Sequence, residues 1–485
     1  MGGQGGWGRG AHTFEQYPGA AVPPNSSFTE LLALAAAQAA ALEEEGVLSL
    51  ALPLAPLDPL QVVGQLPGGS GFRMLWDCSP GLAFAATGAA QQLELSGPRR
   101  FELVQRFAQL CFARLGLAPQ PCPALARPRL LLAFSFFDGP LQEGSAALPG
   151  VRAVLPRWQL SRQGNQCWLR LQSAIGGGVT PRLLAEELWE QAQRLQRLAM
   201  AEQLPAPVPE VISRSSWQTA YRGAMDQALE LVEQQRLRKL VLAVRQQLHL
   251  SAPLDPLQLL AGLRRNQGGS CRFLWGLDGH SDLIGASPER LLAIRQGQLR
   301  CDALAGTASP GEPAMALLQS QKDRHEHELV VEAITDVLRQ QGLAPRRSRQ
   351  PRLARHGCLR HLHTPITATL QAQQPLALAE ALHPTPAVAG LPRREAMAWL
   401  RSLEPFERGF YAAPIGWLDS SGDAELRVAI RSGVLRGNLL ELTAGAGLVR
   451  GSLPERELQE VALKLEVLQQ QLSLSGVVGP AGAPG

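Results

Sequence analysis

A chain of 485 residues, 45% hydrophobic and 18% charged, has the make-up of a soluble globular protein with a large core. Its net charge of +4 is small for that length and gives no ground for binding nucleic acid or a membrane surface. No apolar run reaches the ~20 residues of a membrane span, and the start MGGQGGWGRG lacks the form of a secretory signal.

Residues 1–26, rich in Gly and Pro, read as a disordered tail. A helix follows over 27–45, with Ser27 and Glu30 spaced as a capping box. The apolar runs Val47 to Leu54 and Arg73 to Thr87 read as strands, and 181–203 as a helix. The Pro-rich string LPAPVPEV then separates an N-terminal half, 27–203, from a C-terminal half, 211–472. Residues 473–485 read as a second disordered tail. APLDPLQ occurs at 55–61 and again at 252–258, and each copy is followed by a similar strand, RMLW ending at Trp76 and RFLW ending at Trp275. The repeat points to two related halves. The expected fold is a layered α/β (α+β) one, with two pseudo-repeated halves, central β-sheets and outer helices. After Trp275 the chain reads DLIGASPERLLAI, with Glu289 at a turn, whereas the stretch after Trp76 has no acid there. Chemistry is therefore expected in the second half.

Seven cysteines, scattered singly without a CxxC, argue for a reducing compartment, the cytoplasm, and against a disulfide framework or a zinc site. The basic residues are more telling. Of 46, only Lys239, Lys322 and Lys464 are lysines. Where generic positive charge has gone over to Arg, each retained Lys is a candidate for a place that Arg cannot fill, because a desolvated Lys can lose its proton and a guanidinium does not; a random scatter would carry no such meaning.

Lys239 opens a buried-strand pattern, LRKLVLAVR at 237–245; the ordinary reading is a strand-end lysine in water. Glu289 sits in GASPERL at 285–291, a signal that is weak alone. The segment 321–341 is an amphipathic helix whose apolar stripe runs through Leu329, Val330, Ala333, Ile334, Val337 and Leu338, and Glu326 continues it. A buried carboxylate needs a partner, and a metal ion is one. The HEH triplet is no zinc site, because residues two apart face different sides of a helix. In SLPERELQEVALKLEVL, Ser452 and Glu455 have capping-box spacing, while Glu457, Glu460 and Lys464 share one face beside Val461, Leu465 and Leu468. Segment 425–452 reads as two strands joined by RGN. Arg431 ends the first, suited to a bidentate carboxylate contact. A Gly-rich turn ends the second, open to an anion but not spaced as GxGxxG. Together these features suggest a small dianionic substrate, a divalent metal held by Glu326 and Glu460, and a base and an acid beside it. Carboxylate ligands without His or Cys favour Mg2+.

The strings LHPTPAVAGLP (382–392), EPFERGFYAAPIGW (404–417), VAIRS (428–432), TAGAGLV (443–449) and KDRHEHELV (322–330) resemble those of the isochorismate synthases, within the wider chorismate-utilising enzymes. The resemblance is strong over 211–470 and weaker over 45–200. It implies an Mg2+-dependent conversion of chorismate to isochorismate, with Lys239 as general base and Glu289 as general acid. It assigns Glu326, Glu460 and Glu457 to the metal. Arg431 and Tyr411 fall to the enolpyruvyl carboxylate, and Lys464 lies near the ring carboxylate. His361 and the loop Ala305, Gly306 and Thr307 border the ring, and Gly445, Ala446 and Gly447 form a backbone cradle. Thr443, Leu458 and Ala413 depart from the family's usual aromatic, Trp and Gly. AGLPRR at 389–394 stands where the amine-adding and pyruvate-releasing relatives carry an SGxPK-like string; the alternatives are salicylate synthase, which makes isochorismate first and then loses pyruvate, another chorismate-utilising synthase, and a noncatalytic chorismate-binding protein, against which the intact Lys239 and Glu289 speak. A monomer without a glutaminase subunit is expected.

Overall fold

The computed structural model describes residues 20–21, 27–42, 46–69, 71–115, 123–139, 148–198, 208–277, 279–308, 311, 313–371 and 374–473. Apart from Ala20–Ala21 and Ser473, both expected tails lie outside the described residues, as do residues 204–207 of the connector.

The capping box at Ser27 is formed. The hydroxyl accepts from the Glu30 amide, the Glu30 carboxylate accepts from the Ser27 amide, and the helix runs Phe28–Ala40. Val47–Leu54 is one strand. Arg73 to Thr87 is not: it divides into Arg73–Asp77 and Ala83–Leu95, folded over at the turn between them and paired Trp76 to Phe84.

The strands form a large curled, mainly antiparallel sheet with helices outside, as the layered expectation requires. One run of neighbours leads from Val47–Leu54 through Gln166–Ala174, Val151–Gln163, Ala83–Leu95 and Arg73–Asp77 to Cys271–Gly276. It continues through Ser281–Ser287, Ser432–Arg436 and Leu439–Leu448 to Lys239–Leu250. A second run leaves the start of Val151–Gln163 and passes through Arg129–Phe134, Pro414–Asp419, Ala424–Val428, Arg290–Arg295 and Gln298–Ala308 to Leu359–Thr369. Arg129–Phe134 is buried along its whole length, which is why its sequence is a continuous apolar run rather than an alternating one. Among the described residues, no helix is long and apolar enough to cross a membrane.

The repeated heptapeptide has a structural counterpart. Asp58 and Asp255 each cap a helix that begins with Pro, accepting from the amides of Leu60 and Leu257. The two strands that follow pair with each other, Trp76 opposite Phe273 and Met74 opposite Trp275, with both Trp rings fully buried. Asp77 bonds Arg272 and Arg264, and Arg264 also bonds Asp58. The next position along the pair brings Cys78 against Cys271 as a disulfide, which corrects the reading of seven isolated cysteines. A separation of 193 positions hides the pairing from local spacing, and the register of the two strands creates it.

Candidate active site

Lys239 does not point into water. It begins strand Lys239–Leu250, and its side chain is 1% exposed. Its Nζ lies 3.0 Å from Glu326 Oε1. Helix Gln321–Gln340 places Glu326 there because the buried face that carries Leu329, Val330 and Ile334 also carries Glu326. His327 meets Thr364 Oγ1 at 2.8 Å and not Glu326, so the two histidines of the HEH triplet do not join Glu326 in a zinc site.

Helix Pro454–Ser473 supplies the facing carboxylates. Glu457 is buried, with Lys322 Nζ 2.9 Å from its Oε1 and no partner at its Oε2. Lys322 also lies 3.5 Å from Glu326 Oε2. Glu460 accepts from Thr307 Oγ1 at 2.9 Å and pairs with Lys464 Nζ at 2.6 Å. Lys464 donates to the Gly445 carbonyl as well. Burial and the neighbouring Glu460 raise the Glu457 carboxyl above the ordinary range. Glu460, though also disfavoured by burial, is held low by Lys464 and Lys322. Among the described residues, no three His, Cys, Asp or Glu side chains are gathered as a ready metal cage; the carboxylates are tied to ammonium groups instead. The charged face of this helix is therefore not a wet stripe. Its expected capping box is absent, because the Ser452 hydroxyl accepts from the Val449 amide and Glu455 pairs with Arg222.

Glu289 lies between strands Ser281–Ser287 and Arg290–Arg295 and is 2% exposed. Its carbonyl accepts from Val428 and its amide donates to Ser287 Oγ, which fixes the backbone. Burial pushes its carboxyl up to about 8, against the opposing charge of Lys239. Thr385, from the HPTP string, is buried next to it, and its hydroxyl acts against burial by favouring the charged carboxylate.

The expected strand ending at Arg431 is broken. Ala424–Val428 and Ser432–Arg436 are separate strands, and Arg431 sits between them at φ 53°. That left-handed conformation is costly for a residue other than glycine and tends to be kept at functional sites. Arg431 is buried, and one of its terminal nitrogens, Nη1, has no partner. The other donates to His361 Nε2 at 3.3 Å. His361 Nδ1 lies 3.0 Å from the Gly306 carbonyl, which accepts only, so Nδ1 carries the hydrogen and Nε2 is left free to accept. Burial and Arg431 hold the imidazole neutral. Tyr411 is half-buried nearby, its hydroxyl pushed up to about 12 by burial despite Arg408 and Arg431.

Two expected loops are strands. Ala305, Gly306 and Thr307 belong to Gln298–Ala308, with a bulge at Gly306 (φ 70°) that brings Thr307 to Glu460. Gly445, Ala446 and Gly447 lie in Leu439–Leu448, paired with Ala243, Leu242 and Val241, so no turn is formed there. Glycine is needed at 447 for space: a Cβ would lie 2.3 Å from Glu326 Oε1 and 2.9 Å from Lys239 Cε.

Sequence reasoning missed the brace behind the site. Glu404 and Arg408, both buried, pair at Arg408 Nε–Glu404 Oε2 2.7 Å. Glu404 also accepts from the Ala243 amide, while Arg408 donates to the carbonyls of Val241 and Val388. The EPFER string carried this signal as an acid and a base one helical turn apart.

Residues 33–473 match the profile of a family described as chorismate binding enzyme. The "Salicylate biosynthesis isochorismate synthase" of Pseudomonas aeruginosa is 35% identical over 449 residues, covering 90% of this chain and 93% of that protein. The "Isochorismate synthase EntC" of Escherichia coli is 34% identical over 59% of this chain and 76% of that protein. The solved structure of MenF, the menaquinone-specific isochorismate synthase from Escherichia coli, superposes with a TM-score of 0.73 at 26% identity, covering 92% of this chain and all of that one.

Proposed function

This chain belongs to the chorismate-binding enzyme family, and we propose that it is an isochorismate synthase, an isomerase acting on chorismate. The observation that carries the mechanism is the pair of buried groups, Lys239 and a Glu289 that keeps its proton up to about pH 8, held in one site with the Glu326–Glu457–Glu460 cluster. Lys239 takes a proton from water while the water oxygen bonds to C2 of the ring. The ring double bonds shift, the C4–O bond breaks, and Glu289 gives its proton to the departing hydroxyl, which leaves as water. One hydroxyl is gained and one lost, so the product is an isomer.

Arg431, with one unpaired nitrogen and the other oriented by neutral His361, takes the enolpyruvyl carboxylate beside Tyr411. Lys464, held by Glu460 and Gly445, lies toward the ring carboxylate. The acids Glu326, Glu457 and Glu460 fit magnesium: all are carboxylates, and Glu457 Oε2 is buried without a partner. Magnesium bound there would neutralise the ring carboxylate.

The test is a product assay. With chorismate and Mg2+, the purified protein yields isochorismate, and heavy-oxygen water labels its C2 hydroxyl. An excess of chelator stops turnover and leaves the circular dichroism spectrum unchanged. Salicylate with pyruvate would assign a salicylate synthase instead; an unlabelled or absent product would overturn the mechanism.

A further inference from the structure

Lys322 is the lysine that this mechanism does not use. Its Nζ lies between two of the acids assigned to the metal, 2.9 Å from Glu457 Oε1 and 3.5 Å from Glu326 Oε2, on the wall of a cavity of about 340 Å³ shared with Thr307, Asp323 and Glu460. Each of the three carboxylates already has an ammonium neighbour: Glu326 has Lys239, Glu457 has Lys322, and Glu460 has Lys464. With Asp323 also 3.9 Å from Lys322, the three lysines already offset much of the carboxylates' charge without a metal. Bringing a divalent cation to the same oxygens sets two further positive charges beside these lysines, which is unfavourable unless a cation leaves or an anion enters.

The substrate's ring carboxylate supplies one negative charge. The repulsion that remains acts most on whichever lysine is free to move. Lys239 is 1% exposed and walled by Gly447 and Glu326, and Lys464 is 17% exposed and anchored to the Gly445 carbonyl. Lys322 is 27% exposed and pairs with the carboxylates of Asp323, Glu326 and Glu457. A four-carbon stem at the lip of a cavity reaches water by rotation about its side-chain bonds.

Resting on the magnesium reading above, we propose that Lys322 is a built-in counter-ion that holds the Glu326–Glu457 pair together in the metal-free enzyme and is displaced into solvent when the divalent cation binds. The site is thereby kept folded and charge-balanced between turnovers, and the ammonium sets how tightly the metal is held. Affinity is lowered by the free energy of removing Lys322 from its two carboxylates.

Lys322→Met keeps the stem and removes the charge. Two quantities are measured without turnover: the Kd for Mn2+ by titration calorimetry or electron paramagnetic resonance, and the melting temperature of the metal-free protein. The proposal expects Mn2+ to bind roughly tenfold tighter in Lys322→Met, the scale of one partly screened ion pair, and the metal-free protein to melt lower than the parent. Unchanged or weaker binding overturns it, because a lysine that stays in place assists the metal or ignores it. Should Lys322→Met not fold, Lys322→Gln, which keeps donors for Glu457 without the charge, carries the same two measurements. If the parent and both variants bind no divalent ion with chorismate present, the magnesium reading itself has failed, an outcome distinct from unchanged affinity.

Discussion

Replacing Glu289 with Gln should do two opposite things, and their conjunction tests the assignment. The side chain is 2% exposed, and its carboxyl is raised from the usual 4.5 to about 8, first by burial. At pH 7 about nine tenths of the folded molecules therefore carry the proton that the leaving hydroxyl needs. Gln keeps the shape and has no such proton, so turnover should fall roughly 10²-fold or more, with KM much less affected. Stability should move the other way. Below about pH 4 both folded and unfolded chains hold the proton, and Glu289 costs nothing on this account. Between 4.5 and 8 the unfolded chain gives up its proton while the folded chain keeps it, so stability declines by ~1.4 kcal/mol per pH unit. Above 8 the loss is complete, on the order of 5 kcal/mol. Glu289→Gln should thus be little changed in stability at pH 4 and clearly stabilised at pH 9. Isochorismate formation followed by chromatography, with urea unfolding at both pH values, makes the comparison. The alkaline decline of the parental kcat should begin near pH 8. A variant with near-parental turnover, or a stability difference that does not change with pH, refutes the reasoning.

Lys239→Arg should inactivate the enzyme nearly as fully as Lys239→Ala, because a guanidinium does not release its proton and Gly447 and Glu326 leave it little room; chorismate turnover in folded protein is the measurement. Gly447→Ala should cost at least roughly tenfold in kcat, since the new methyl displaces Glu326 and Lys239, the scale expected for a misplaced base. A reductant should lower the melting temperature of the oxidised protein, and Cys78→Ser should abolish that response. Closing a loop of 193 residues is worth about 2–4 kcal/mol on the usual scale.

The sequence made the chemistry of the site legible where side chains lie on one helix. Glu326 was placed by its apolar neighbours at three- and four-residue spacing, and the same periodicity brought Glu457, Glu460 and Lys464 together. The rarity of lysine singled out Lys239 and Lys464, both now found in the cluster. What local pattern does not encode is register. The glycines of TAGAGLV looked like a turn because glycine is usual there, yet here they thin a strand so that Glu326 and Lys239 fit against it. The break at Arg431 depends on what Ala286 and Ala412 pair with, both distant in the chain or on another strand. Cys78 with Cys271, and Glu404 with the Ala243 amide, are contacts between residues more than 150 positions apart.

The pairing of the two similar strands has a consequence for how the chain comes into being. Met74, Leu75 and Trp76 leave the ribosome well before their partners Trp275, Leu274 and Phe273. With Cys271 193 positions after Cys78, and synthesis at ~5–20 residues per second, the delay is roughly 10 to 40 s. During that time Arg73–Asp77 is the open edge of a growing sheet, the kind of surface on which nascent chains aggregate. The charges at its two ends, Arg73 and Asp77, discourage a stranger from adding on. When the second half arrives, the same two residues change employment and bond Asp282 and Arg272.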